Sequence, residues 1–108
     1  MSNIQGPGKP DHHDIQMYAQ EYKRGIDLFQ RALIEYNSAD EVHKKDAFRE
    51  VMDRALQVLN ETAQGMKRDD LVAQNQKIAQ DFQTYQNSHS PKDEKVLEKD
   101  LNQARRAL

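Results

Sequence analysis

The residues best suited to chemistry stand near the start of the chain, in His12-His13-Asp14. Two imidazoles and a carboxylate are metal-ligand types, but ligands on a helix must share a face. Adjacent residues point about 100° apart, so this pair does not converge on one ion as an i, i+4 pair would. His43 and His89 stand alone, one among charged residues and the other in a serine-flanked turn, and all four histidines read as solvated. The acids Asp46, Glu50 and Asp53, with Arg54 beside them, lie off the apolar stripes. They read as surface ion pairs of about 0.3 kcal/mol each. A di-iron carboxylate bundle needs Glu-x-x-His on inward faces, and that tetrad does not occur. There is no GxGxxG, Walker-type loop or Ser-His-Asp grouping, and no cysteine for thiolate catalysis, disulfides or a Cys-based zinc site. No catalytic, metal-binding or cofactor-binding residue is assigned. The expectation is a protein that is not an enzyme and carries no cofactor.

The elements that would position any site are helices. Gly6, Pro7, Gly8 and Pro10 fall in residues 1–12, which reads as a disordered tail; residues 13–108 read as one domain. The first helix starts near Asp11 to Asp14. Ile15, Tyr22, Phe29 and Tyr36 fall seven apart, with Tyr18, Gly25 and Ala32 between them and Ala19, Ile26 and Leu33 flanking. Steps of three and four put all of these on one face. Gly25 costs about 1 kcal/mol against Ala inside a helix, which close approach of a neighbour at Gly25 and Ala32 would justify.

A break follows at Asn37-Ser38, where Ser38 and Glu41 have the form of a capping box. The second helix runs from about 39 to 64 with a wide apolar arc that includes Phe48, Val51, Met52, Leu56 and Leu59, so it belongs between neighbours. Gly65 reads as its left-handed terminator. The third helix takes Asp69 or Asp70 as cap, and Leu71, Val72, Ile78, Ala79, Phe82 and Tyr85 form its stripe, with Asn75 as a polar residue in the seam. Ser90-Pro91 opens the fourth helix, Ser as N-cap and Pro in the first turn. Its stripe is Val96, Leu97, Leu101, Ala104 and Leu108. Acids begin this helix and Arg105 and Arg106 end it, which complements the helix dipole.

The fold class is therefore all-α: an antiparallel bundle of three long helices plus a shorter C-terminal fourth. The chain has 108 residues, 36% apolar and 31% charged, which suits amphipathic helices with wide solvated faces. Sixteen cations against eighteen anions give a net charge of −2, with no basic face of the kind nucleic acid attracts. Glu98 and Asp100 break up the cations of the fourth helix and read as part of its solvated side. No stretch nears the roughly 20 apolar residues of a membrane span, and residues 1–14 hold no apolar run of the secretory kind. A cytoplasmic location is expected.

The segment from Tyr22 through Gly25 and Phe29 to Ala32-Leu33 resembles the second helix of a tetratricopeptide repeat, with alternating large and small residues at that family's spacing. The resemblance covers about a dozen residues. That family's preceding helix has no counterpart upstream and no second repeat follows, so no function transfers with it.

With chemistry set aside, the leading expectation is a protein–protein interaction module: an adaptor, assembly factor or small chaperone, with a homo-oligomer as one form of it. Met17, Leu28 and Ile34 fall outside the first helix's seam, and Val96, Leu97 and Leu101 make the thin stripe of the fourth helix. These six are the partner-binding candidates. The alternatives are a structural or regulatory component of a larger complex such as a secretion apparatus, and a small-ligand or metal-binding bundle using His12-His13.

Overall fold

The computed structural model describes residues 12–108, and side chains from residue 14 onward. These residues form four helices: α1 (His12–Ser38), α2 (Val42–Gly65), α3 (Asp69–Ser88) and α4 (Pro91–Ala107). The tail expected over 1–12 lies outside the described residues, apart from His12, which opens α1. The side chains of His12 and His13 lie outside them too.

Each helix is placed by a few specific neighbours. On α1 and α2, Tyr18 covers Gly65, Gly25 meets Leu59, and the Lys45 ammonium lies 4.7 Å from the Tyr36 ring centroid. These pairs run in opposite order along the two helices. Across the core, α1 meets α3 in the same order: Tyr22 with Asn75, Phe29 edge-on to Phe82 at 5.2 Å between centroids, and Tyr36 beside Tyr85. The α4 helix meets α3 where Gln74 Nε2 donates to the Asp100 carbonyl at 2.9 Å, and meets α1 where Arg105 reaches Asp27 and Gln30. As its wide apolar arc implies, α2 packs against both α1 and α3, and the side chains of α1 reach all three other helices because its aromatic row spans the core.

The seams follow the predicted periodicity with local departures. On α3 the buried row is Leu71, Asn75, Ile78, Phe82 and Tyr85, and Ala79, one position off that row, is exposed. On α1, Ile15 and Tyr18 belong to the expected stripe but are partly exposed, since they lie beside the bundle's end. On α4, Val96 is exposed and Asp100 is buried with Leu97, Leu101 and Ala104. Asp100 is in the core and not on the solvated side expected for it. Its position, three after Leu97 and four before Ala104, is a stripe position, and the charge of its side chain does not move it to the solvated face.

The helix ends show which local signals decided and which did not. Ser90 caps α4, its Oγ accepting from the Asp93 amide at 3.1 Å, with Pro91 in the first turn. The Ser38–Glu41 capping box does not form. Ser38 ends α1 instead, donating its hydroxyl back to the Ile34 carbonyl at 3.0 Å, and Glu41 precedes α2 without a side-chain cap. Arg68, not Asp69 or Asp70, holds the N-cap position of α3; both acids sit in the first turn. Gly65 is not a left-handed terminator. The α2 helix continues through it, and Lys67 takes the left-handed conformation at φ 60°. The Lys67 amide then donates to the Gln64 carbonyl and the Arg68 amide to Ala63, the Schellman pattern. Gly65 is needed for another reason: a Cβ there would lie 2.6 Å from Tyr18 Cζ.

Candidate functional site

Four of the six partner-binding candidates are exposed, and they do not form one patch. Ile34 is 63% exposed, Met17 53% and Leu28 42%, and Val96 is also exposed. Leu97 and Leu101 are fully buried in the core, so with α4 docked they face no partner. Ile34 borders a cleft between α1 and α4 with Gln30, Leu33, Glu98 and Asn102. Leu28 faces the other way, toward α2. Met17 lies eleven residues from Leu28, about 16 Å along the helix at 1.5 Å per residue.

Leu28 and Ala32 of α1, with Phe48 and Val51 of α2, line a shallow groove whose surface is entirely apolar, with Arg31 and Glu35 at its edge. It exists because the buried part of α2 begins only at Met52. Phe48 and Val51 are packed against the core on one side and open on the other. The groove's volume of about 170 Å³ is small. Small-molecule sites run to roughly 300–1,000 Å³ and combine apolar walls with convergent polar groups. This groove has the shape to take one or two side chains of a partner.

The structure also gathers polar groups that the sequence reading leaves apart. His89 is the left-handed C-cap of α3 at φ 52°, a conformation that few non-glycine residues adopt. Its ring stacks on Tyr36, 4° from parallel, and its Nε2 shares a hydrogen bond with Tyr36 Oη at 2.9 Å. Tyr85 donates to Asn37 Oδ1, and Asn37 Nδ2 donates to Glu94 at 2.7 Å. Burial, followed by the nearby Glu94 carboxylate, raises the Tyr85 hydroxyl above the usual tyrosine range. His89 is thus not a lone loop histidine. Every member of this chain is engaged with another, and no nucleophile–base–orienter sequence arises among them. The arrangement ties the start of α4 and the end of α3 to α1.

Among the described residues no three His, Cys, Asp or Glu side chains converge to hold a metal ion, and no helix is long and apolar enough to cross a membrane.

No family model, curated protein or solved structure matches this chain. The tetratricopeptide-like spacing accordingly remains a local one. In the structure it accounts for the burial of Tyr22, Ile26 and Phe29 and for the close approach at Gly25.

Proposed function

We propose that this chain is a protein–protein interaction module that engages a partner through the α1–α2 face. The observation that carries this reading is the apolar groove of Leu28, Ala32, Phe48 and Val51. Leu28 adds weight: it is a large apolar residue off the core seam and 42% exposed at the mouth of that groove. Single exposed leucines are ordinary on soluble proteins; this one continues into an apolar groove. The architecture that goes with this reading is an up-and-down antiparallel bundle, α1 to α3 long and α4 shorter. Its support is the opposite order of paired residues on α1 and α2. A cytoplasmic setting accords with the absence of cysteine.

The test is Leu28→Glu. The side chain is half in solvent, so the fold should tolerate the change, and circular dichroism should be unaltered. Wild type and variant are compared by affinity capture from the source cells with quantitative mass spectrometry, and by light scattering for self-association. A partner, or a second copy, that is retained by wild type and lost at least tenfold with the variant supports the reading. Identical recoveries and a strict monomer in both proteins overturn it.

A further inference from the structure

One carboxyl group of the bundle is buried with a defect. Asp100 is 1% exposed, and its Oδ2 has no hydrogen-bond partner. Burying a polar atom without a partner forfeits its hydration with no return, so an orphan in a packed interface calls for an explanation.

The surroundings of Asp100 supply one. From α3, the Lys77 ammonium stands 3.6 Å from Oδ1 and is itself half exposed. The Asp81 carboxyl, one helical turn beyond Lys77, lies within hydrogen-bonding reach of the Asp100 carboxyl. Gln74 is occupied with the Asp100 carbonyl and Gln103. From α1, the acid that faces α4 is Asp27, and Arg105 engages it more than a turn further along. On α4 itself, Glu98 and Lys99 are exposed. Two carboxylates are both acceptors and cannot bond to each other. A single proton between them supplies the missing donor and removes one of two like charges from the interface.

We propose that the Asp100 carboxyl holds a proton directed at Asp81 that latches α4 onto α3, and that α4 loosens when this proton leaves. The device is built from α3 and α4 and does not depend on the interaction reading of the α1–α2 groove. Burial, then the neighbouring Asp81, raises the Asp100 carboxyl to about 7, and Lys77 offsets only part of this. The sign follows from linkage. The docked state holds a proton that the undocked state releases at the ordinary aspartate range. The latch is therefore fully set below that range and weakens as pH rises toward about 7. Undocking would uncover Leu97, Leu101 and Ala104, which are now buried.

The experiment uses the full chain. Side-chain carboxyl carbons are followed by NMR from acid to alkaline pH, alongside amide protection factors corrected for intrinsic exchange. The Asp100 carboxyl is expected to titrate at least two units above an ordinary aspartate. Protection in α4 at Leu97 and Leu101 should fall more than about tenfold across the same window, one pK unit of differential binding being about tenfold. Protection at Ile26 and Leu59 should change less. In Asp100→Asn the amide donates in place of the proton, so α4 protection should become independent of pH and stay high at alkaline pH. In Asp81→Asn the Asp100 midpoint should move down, and the loss of protection with it, which keeps the test open if Asp100→Asn does not fold. An Asp100 midpoint in the ordinary aspartate range overturns the proposal. So does an α4 protection profile that Asp100→Asn leaves unchanged.

Discussion

The hydroxyl of Tyr22 donates to Asn75 Oδ1 at 2.6 Å, and both side chains are out of solvent. This bond joins α1 to α3 inside the core. Burial holds the Tyr22 hydroxyl far above the usual tyrosine range, so it stays a donor at any pH the fold survives. The Asn75 amide nitrogen has no partner, so the pair is satisfied on one side only. Tyr22→Phe would leave Asn75 with no bond from Tyr22 and should destabilise by about 1–3 kcal/mol. Adding Asn75→Leu removes the orphaned groups, and the double variant should be at least as stable as Tyr22→Phe alone. Urea unfolding of the four proteins of the cycle measures this. A double variant less stable than either single one would show that the bond is not what the two residues contribute.

The two helical glycines should respond differently to alanine. A Cβ at Gly25 would lie 2.9 Å from Leu59 Cδ2 and 3.3 Å from Val58 Cγ1, and Leu59 is fully buried, so its methyl would have to shift within the core. Overpacking of this kind costs about 1–3 kcal/mol, against a helix-propensity gain of about 1 kcal/mol. Gly25→Ala should therefore be neutral to destabilising by up to about 2 kcal/mol. At Gly65 the obstacle is the outer ring of Tyr18, a partly exposed side chain that can swing into solvent. Gly65→Ala should cost less than Gly25→Ala, and near-ultraviolet circular dichroism should report a changed tyrosine environment. Equal losses at the two sites would contradict this.

Ser90 should matter to α4 more than its exposed surroundings suggest. Its Oγ accepts from the Asp93 amide, while Ser88 Oγ donates to the Asp93 carboxylate. Ser90→Ala should cost about 1 kcal/mol in chemical denaturation, and Ser90→Gly only a few tenths, about 0.3 kcal/mol. If the two variants are equally destabilised, backbone freedom rather than capping sets the loss.

Arg68 forms a two-pronged bond to Asp70, Nε to Oδ1 at 2.8 Å and Nη2 to Oδ2 at 2.7 Å, and Nη2 also donates to the Ala107 carbonyl. The guanidinium holds the Asp70 carboxyl down at about 2. A lowered carboxyl contributes stability above the ordinary aspartate range and loses it as pH falls toward about 2. Asp70→Asn should lower the melting temperature at neutral pH, by a small amount because the pair is exposed and screened. The difference from wild type should shrink as pH falls through that window. A constant difference across pH would assign the effect to the first helical turn instead.

Much of the fold is legible in the chain because it rests on short-range physics. Four helices, the turn at Ser90-Pro91, and the close approach at Gly25 follow from spacing, capping and the conformational cost of glycine. The ends that sequence alone misreads are those where two local options compete. Ser38 can cap the next helix or bond back to Ile34, and Gly65 can end a helix or make room for a ring. Of the partner-binding candidates, the exposure of Met17, Leu28 and Ile34 is visible as departure from the seam. Their separation onto different faces, and the burial of Leu97 and Leu101, are not.

Sequence by itself determined which residues turn toward the same side of each helix, since that depends only on a periodicity of 3.6 residues. Tertiary structure decided what stands on that side. Asp100 shows the difference most sharply: its spacing from Leu97 and Ala104 fixed its direction, but Asp81, Lys77 and a dry interface arrive from α3. A helix carries no record of its neighbour's side chains, so a carboxylate at a stripe position reads as solvated until the neighbour closes over it.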